Sequence, residues 1–420
     1  MTITTPSCLA VAALLAVSVP GASAAGPSVE GEAIARVARL QERAIARPGD
    51  VAARVDLALE CRSLARLTGR AEWEAKAAAA VNDALAVSPA DPEALTVKAW
   101  VQAAGHDFEK AVVTASAATR AAPASPWAWG VLADALTELG RYPEAVDAVE
   151  KMMARRPGAA AYSRAAHLRS LHGDSDGAVS LMKMAVDATS PADREDRAWM
   201  LVMLGREHQV RGEHDQAQRL YREALRAVPG FHLATFHLAD SLAATGRIED
   251  AITALEPLHA STPSATTAAA LGDLYAEAGR RAQASRLYAE VDALAALQDP
   301  AKAEPRWLAR FYADQQRNLP EAVRMVQAEL VTHQDFETWD GLAWALHRSG
   351  RHADALVAAQ RAGALGTRRA RLLYHRGMIE KEVGRSDDAR RDLQQALALN
   401  DLWPAERRQA AAALKTASTK

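Results

Sequence analysis

Two short stretches of the chain carry residue types that can do chemistry. Residues 204–225 read LGREHQVRGEHDQAQRLYREAL, in which Glu207, His208, Glu213, His214 and Asp215 crowd imidazoles and carboxylates together. Zinc takes such ligands. Residues 173–177 read GDSDG, which fits the G-x-S-x-G turn that presents a nucleophilic serine in hydrolases. The chain has no G-x-x-x-x-G-K-[ST], no G-x-G-x-x-G and no H-E-x-x-H, so phosphate-loop, dinucleotide and helical metalloprotease motifs are missing. A metal centre and a serine nucleophile are the chemistries to weigh, and the elements that carry these residues decide between them and simple packing.

Those elements repeat. Alanines that open a helical run after a polar turn stand at Ala77, Ala111, Ala145, Ala178, Ala217, Ala251, Ala284, Ala322, Ala355 and Ala389. The steps are 34, 34, 33, 39, 34, 33, 38, 33 and 34, the two long ones containing the insertions TSPADRED (189–196) and LQDPAKAEP (297–305). Five residues before the alanine stands a glycine, at Gly140, Gly173, Gly212, Gly246, Gly279, Gly350 and Gly384. Twelve residues after it stands a proline, at Pro89, Pro123, Pro157, Pro229 and Pro263. Glycine can take the left-handed conformation that ends a helix, and proline cannot continue one. Each period therefore reads as a helix, a glycine turn, a second helix and a stop.

In this phase the chain resembles the tetratricopeptide repeat family. Ala198 to Pro229 places Leu201, Leu204, Gly205, His208, Gly212, His214, Ala217, Tyr221, Ala224 and Pro229 on that family's pattern of large and small residues. The units beginning at Pro126 and Ala265 repeat it through Trp129, Leu132, Gly140, Tyr142 and Ala145, and through Leu271, Gly272, Tyr275, Gly279, Ala284 and Tyr288. The weakest unit is 303–335. The fold expected is all-α, a right-handed superhelical solenoid of about ten helix-turn-helix units over 49–400, with helical caps at 25–48 and 401–420. Small residues let two helices cross closely, and large ones fill the space beside them.

Placed on this frame, His208 and His214 occupy positions that other units give to aromatics and aliphatics such as Phe108, Tyr142, Ile248 and Leu319. Packing is therefore the expected role, with metal ligation by the two histidines as its alternative. Ser175 falls in a turn between two helices, whereas the hydrolase elbow needs a strand before the serine. No catalytic residue, metal or cofactor is assigned.

What the resemblance implies is a concave face lined by the first helix of each unit. The groove positions hold Trp100, Trp127, Asp134, Trp199, Arg206, Phe236, Asp240, Asp273, Trp307, Phe311, Trp344 and Tyr374. Aromatic residues dominate binding hot spots, so these are the candidate partner-binding residues. Each tryptophan is either an anchor or packed against its neighbouring unit. The Lys and Asn of the family's carboxylate clamp are missing from the matching positions.

The chain of 420 residues balances 50 basic against 52 acidic side chains, with a net charge of −2. Interspersed signs give no basic patch for nucleic acid. Residues 1–29 carry no charged side chain, and the apolar run Leu9–Val19 is followed by Ala22-Ser23-Ala24. That start reads as a secretory signal cleaved after Ala24, although it lacks a basic n-region. An eleven-residue run is too short to span a bilayer, so no transmembrane anchor is expected in the mature chain. Cleavage would leave Cys61, placed among leucines as a small buried hydrophobe. The function expected is a non-catalytic scaffold, exported to the periplasm or secreted, that holds a peptide or protein partner in its groove. The alternatives are a cofactor- or metal-linked accessory protein of an envelope enzyme complex, and assembly through the outer faces of the solenoid.

Overall fold

The computed structural model describes residues 29–297 and 305–417. The expected signal segment and most of the 297–305 insertion lie outside them. Among the described residues there are helices and no strands. No helix among the described residues is long and apolar enough to cross a membrane.

A single helix α1 (Val29–Ala46) leads ten hairpins. They are α2/α3 (Val51–Thr68, Ala71–Val87), α4/α5 (Pro92–Ala104, Phe108–Ala121), α6/α7 (Pro126–Glu138, Tyr142–Arg155), α8/α9 (Ala159–Leu171, Ser175–Asp187) and α10/α11 (Arg194–Val210, His214–Ala227). Next come α12/α13 (His232–Ala244, Ile248–Ser261), α14/α15 (Ala265–Glu277, Arg281–Leu297), α16/α17 (Pro305–Asp314, Leu319–Glu329), α18/α19 (Phe336–Arg348, His352–Ala362) and α20/α21 (Ala370–Glu382, Ser386–Ala398). A last helix, α22 (Pro404–Ala417), closes the array. The repeat phase read from the alanines is the phase of these hairpins.

Local chemistry explains the hairpins. Asp50, Asp91, Ser125, Asp174, Ser264 and Asp335 accept the backbone N–H of the third helical residue, which satisfies one of the orphan donors of a helix start. Gly140, Gly173, Gly212, Gly246, Gly279, Gly350 and Gly384 all have φ between 68° and 81°, the conformation only glycine adopts without strain. Gly205 lies against the ring of Tyr221, and Gly272 against that of Tyr288. The helices of a hairpin can cross at these points only because no Cβ intervenes. Cys61 is fully buried, and burial pushes its thiol up to about 11.

A finding the repeat does not foretell is that successive coils of the superhelix touch. The turn at Gly140 lies against the carbonyl of Gln334, that at Gly173 against Gly366, and that at Gly212 against Leu399. His333 packs edge-on against Phe108 with ring centroids 4.6 Å apart. The hydroxyl of Thr367 donates to Leu171 O at 2.5 Å. The 189–196 insertion makes a further long-range contact, because Ser63 donates to Glu195 at 2.5 Å and Arg66 to Asp196 at 2.7 Å. Contacts between coils narrow the expected open groove to a partly open lumen.

Candidate functional site

The lumen is a chamber of about 1180 Å³, larger than the roughly 300–1,000 Å³ of ordinary small-molecule pockets. Its wall comes from the first helices of consecutive hairpins, on which positions three or four residues apart, about one turn, share a face. Arg206 on α10, Phe236 and Asp240 on α12, Asp273 on α14, Trp307 and Phe311 on α16, Trp344 on α18 and Tyr374 on α20 all border it. Eight of the twelve groove candidates therefore converge on one space.

They do so in two ways. Arg206 is exposed to the lumen, and Phe236, Asp240 and Trp307 are half-buried. Trp307 stacks on Phe311 at 6.1 Å with planes 4° apart. Phe311 itself is 5% exposed, and Trp344 and Tyr374 are each 2% exposed. Trp344 is sandwiched by His375, 4.1 Å away, and His347, 5.1 Å away, while its indole N–H donates to Asp314 at 2.7 Å. The Tyr374 hydroxyl donates to Gln409 at 2.7 Å. These three rings support the wall and offer a ligand little area, because large apolar faces are covered by neighbouring hairpins.

Four candidates lie elsewhere. Trp100 and Trp127 meet edge to face at 6.3 Å, with Arg62 4.7 Å above Trp100. Asp134 holds Arg164 through two hydrogen bonds of 2.8 and 2.7 Å. Trp199 lies under Arg66 at 5.2 Å, beside the seam. These contacts already occupy the groups that would meet a partner.

Residues the groove positions did not nominate complete the site. Beside the chamber is a recess of about 300 Å³ that shares Arg206, Asp240, Trp307 and Arg310 with it and adds Arg306, Arg369 and Asp401. Arg310 stands in the weakest unit, at the position where other units carry a small residue, and that misfit is the signal for it. Arg369 lies in the loop before α20 and Trp403 before α22, off the repeat pattern altogether. The Trp403 indole donates to Asp240 at 2.9 Å, so the closing segment reaches across the lumen to hairpin six.

Burial and like charge set the electrostatics. His237 is held well below the ordinary imidazole range by burial and by Arg206. Arg306, Arg206, Arg369 and Arg310 together hold the Glu337 carboxyl below its ordinary value. Asp273 accepts Tyr288 at 2.7 Å, and burial still lifts its carboxyl to about 7. These groups can bind a polar chain, orient it and exclude part of its water.

The histidines of 204–225 do not converge. His214 contacts Ser241 Oγ through Nδ1 at 2.9 Å and Asn400 O through Nε2 at 2.7 Å, so both ring nitrogens are engaged at the seam. His208 pairs with Glu213 at 2.5 Å. No group of three metal-ligating side chains occurs among the described residues. Ser175 begins α9 with a helix on either side, which is not the strand-to-helix turn a nucleophile elbow requires.

The tetratricopeptide repeat family matches residues 103–168, 202–265 and 338–361. Cellulose synthase operon protein C of Xanthomonas axonopodis pv. citri is 31% identical over 288 residues, covering 62% of this chain and 18% of that protein. The chain thus spans under a fifth of that relative's length. The structure of a human IFIT1 dimer with PPP-AAAA superposes with a TM-score of 0.52 at 17% identity, covering 75% of this chain and 73% of the other. A thermophilic repeat protein of Thermus thermophilus gives 0.41 at 20% identity, covering 46% and 98%. Likeness at these identities concerns the fold. With the ten hairpins, the glycine turns and the family matches together, the chain is a tetratricopeptide repeat protein.

Proposed function

We propose that this protein is a non-catalytic scaffold that holds an extended segment of a partner protein in its lumen. One observation carries the reading: Arg206, Phe236, Asp240, Asp273 and Trp307, from four successive hairpins, face a single chamber of about 1180 Å³. Half-buried rings beside charged groups on rigid helices suit a chain segment, with aromatic contacts giving affinity and charges giving register. The uncharged, apolar start of the sequence supports export, so the scaffold works outside the cytoplasm under this reading.

The test is selection of a random displayed peptide library on the full-length protein, followed by photo-cross-linking. A benzophenone side chain placed at Phe236 should capture the selected peptide, and one placed at the outward-facing Val113, which is 68% exposed, should not. Capture only from Val113, or failure to select any peptide, would refute a lumen site.

A further inference from the structure

Most charged groups around the recess already have partners. Arg371 is held by Glu406 at 2.7 Å and Arg306 pairs with Asp335. Asp340 contacts His375 at 2.9 Å. Asp240 accepts from Gln209 at 2.6 Å and from Trp403 at 2.9 Å. Burial and the neighbouring Asp240 push the Asp401 carboxyl upward, which reduces the negative charge it can offer.

Three arginines of the recess have no carboxylate within ion-pair distance among the described residues. Arg206 and Arg310 border both the recess and the chamber and make no hydrogen bond or ion pair with any described residue. Arg369 donates to Ser170 Oγ at 3.2 Å, a neutral partner. Glu337 is the carboxylate they share, yet its side chain is 55% exposed and its ion pair, to Arg306, spans 4.0 Å. Arg206 and Arg369 belong to different coils and face each other only because the seam closes. Burial and Arg206 shift Arg369 down, against Glu207, Glu337 and Asp401. Guanidiniums without a paired carboxylate keep N–H donors for an incoming anion.

We propose that Arg206, Arg310 and Arg369 form an anion anchor that takes the carboxylates of an acidic peptide segment. The proposal rests on the lumen being the partner site and adds the class of partner. Guanidinium forks match a carboxylate in two parallel hydrogen bonds. Asp240, Asp273, Asp314 and Glu337 also line the chamber, and would repel a continuous phosphodiester backbone. A peptide can set its acidic side chains at the arginines and its neutral or basic ones beside those carboxylates. The balanced charge of the whole chain, 50 basic and 52 acidic residues, likewise gives no general attraction for a polyanion.

The experiment uses peptides selected from the random library on the full-length protein. Lumen-bound peptides should be enriched in Asp and Glu and should weaken as salt rises toward about 0.5 M. One such peptide should bind the Arg206→Gln/Arg310→Gln variant at least about tenfold more weakly. The Arg206→Lys/Arg310→Lys variant should fall between, since charge is kept and the fork is lost. Replacing the peptide's own acids by Asn and Gln should cause the same loss on the unaltered protein, a measurement that does not depend on how the variants fold. Peptides that cross-link inside the lumen without an acidic excess would overturn the anchor and leave the lumen site standing. Equal binding by the Gln variant would do the same. Stronger competition by oligo(dT) than by a second acidic peptide would replace a carboxylate ligand with a phosphate one. If no peptide reaches the lumen, the anchor falls together with the binding site.

Discussion

The hydroxyl of Thr367 donates to the carbonyl of Leu171 across 196 positions of sequence. This bond joins the loop before α20 to the end of α8, and it is one stitch of a seam between coils. Repeat solenoids are ordinarily held by neighbour contacts alone. Here the seam adds a second set, and it borders a partly open lumen.

The seam can be separated from turn geometry by two alanine variants. Gly212 has φ 75° and would drive a Cβ into the Leu399 carbonyl, whereas Gly246 has φ 78° with open space around it. A left-handed alanine costs about 1–2 kcal/mol, so Gly246→Ala should lose that much. Gly212→Ala should lose at least about 1 kcal/mol more, because the seam must also part. Urea midpoints of the two variants check this, and equal losses would mean that the coils do not press on each other.

Inside a hairpin, Gly205→Leu should be severe. The Tyr221 ring lies where the new side chain would start, and overpacking typically costs about 1–3 kcal/mol. Chemical denaturation measures the loss. A variant as stable as the parent would place the repeat phase wrongly.

Acid should loosen the seam at His333. This ring is buried against Phe108 and His106, with Arg306 and Glu329 also facing it. Burial first, then Arg306 and His106, lower it to about 4, whereas an unfolded histidine titrates near 6.5. The unfolded chain therefore takes up the proton first. Stability is fully present above about pH 6.5 and is lost as pH falls toward about 4, by on the order of 3 kcal/mol. The raised carboxyl of Asp273 gives the opposite trend, so the comparison must be between proteins. The drop in melting midpoint from pH 7 to 4.5 should be smaller in His333→Phe than in the unaltered chain.

His214→Ala should destabilise by about 2 kcal/mol, because Ser241 and the Asn400 carbonyl would lose a shared buried partner. Zinc should leave the melting midpoint where it is, since a ligand that binds only the folded state must raise it. A zinc-dependent rise that vanishes in His214→Ala would instead make the pair His208 and His214 a metal site.

The hairpins were legible because every signal that makes one is local: Ala217 and Gly212 lie five residues apart, and Tyr221 fills the space beside Gly205. Spacing on one helix face also placed Arg206, Phe236 and Trp307 on the concave side. It could not rank their exposure, and Trp344, an expected anchor, is packed between two histidines. Its truncation should therefore cost about 3–5 kcal/mol of stability rather than report on binding alone. The seam left no trace in the pattern, since Gly212 and Leu399 or Leu171 and Thr367 meet through the pitch of the whole superhelix. Arg369 and Trp403 sit in loops that the repeat does not index.

The most direct measurement is the affinity of a library-selected peptide for Phe236→Ala, Trp307→Ala and Val113→Ala, each checked for unchanged helical content. Phe236 and Trp307 are half-buried on the chamber wall, while Val113 is 68% exposed on an outer helix. Truncating a true anchor should weaken binding by on the order of 2 kcal/mol. Both lumen variants should lose that much and Val113→Ala almost nothing. Unchanged affinity in both lumen variants, with the fold intact, would contradict a partner site in the lumen.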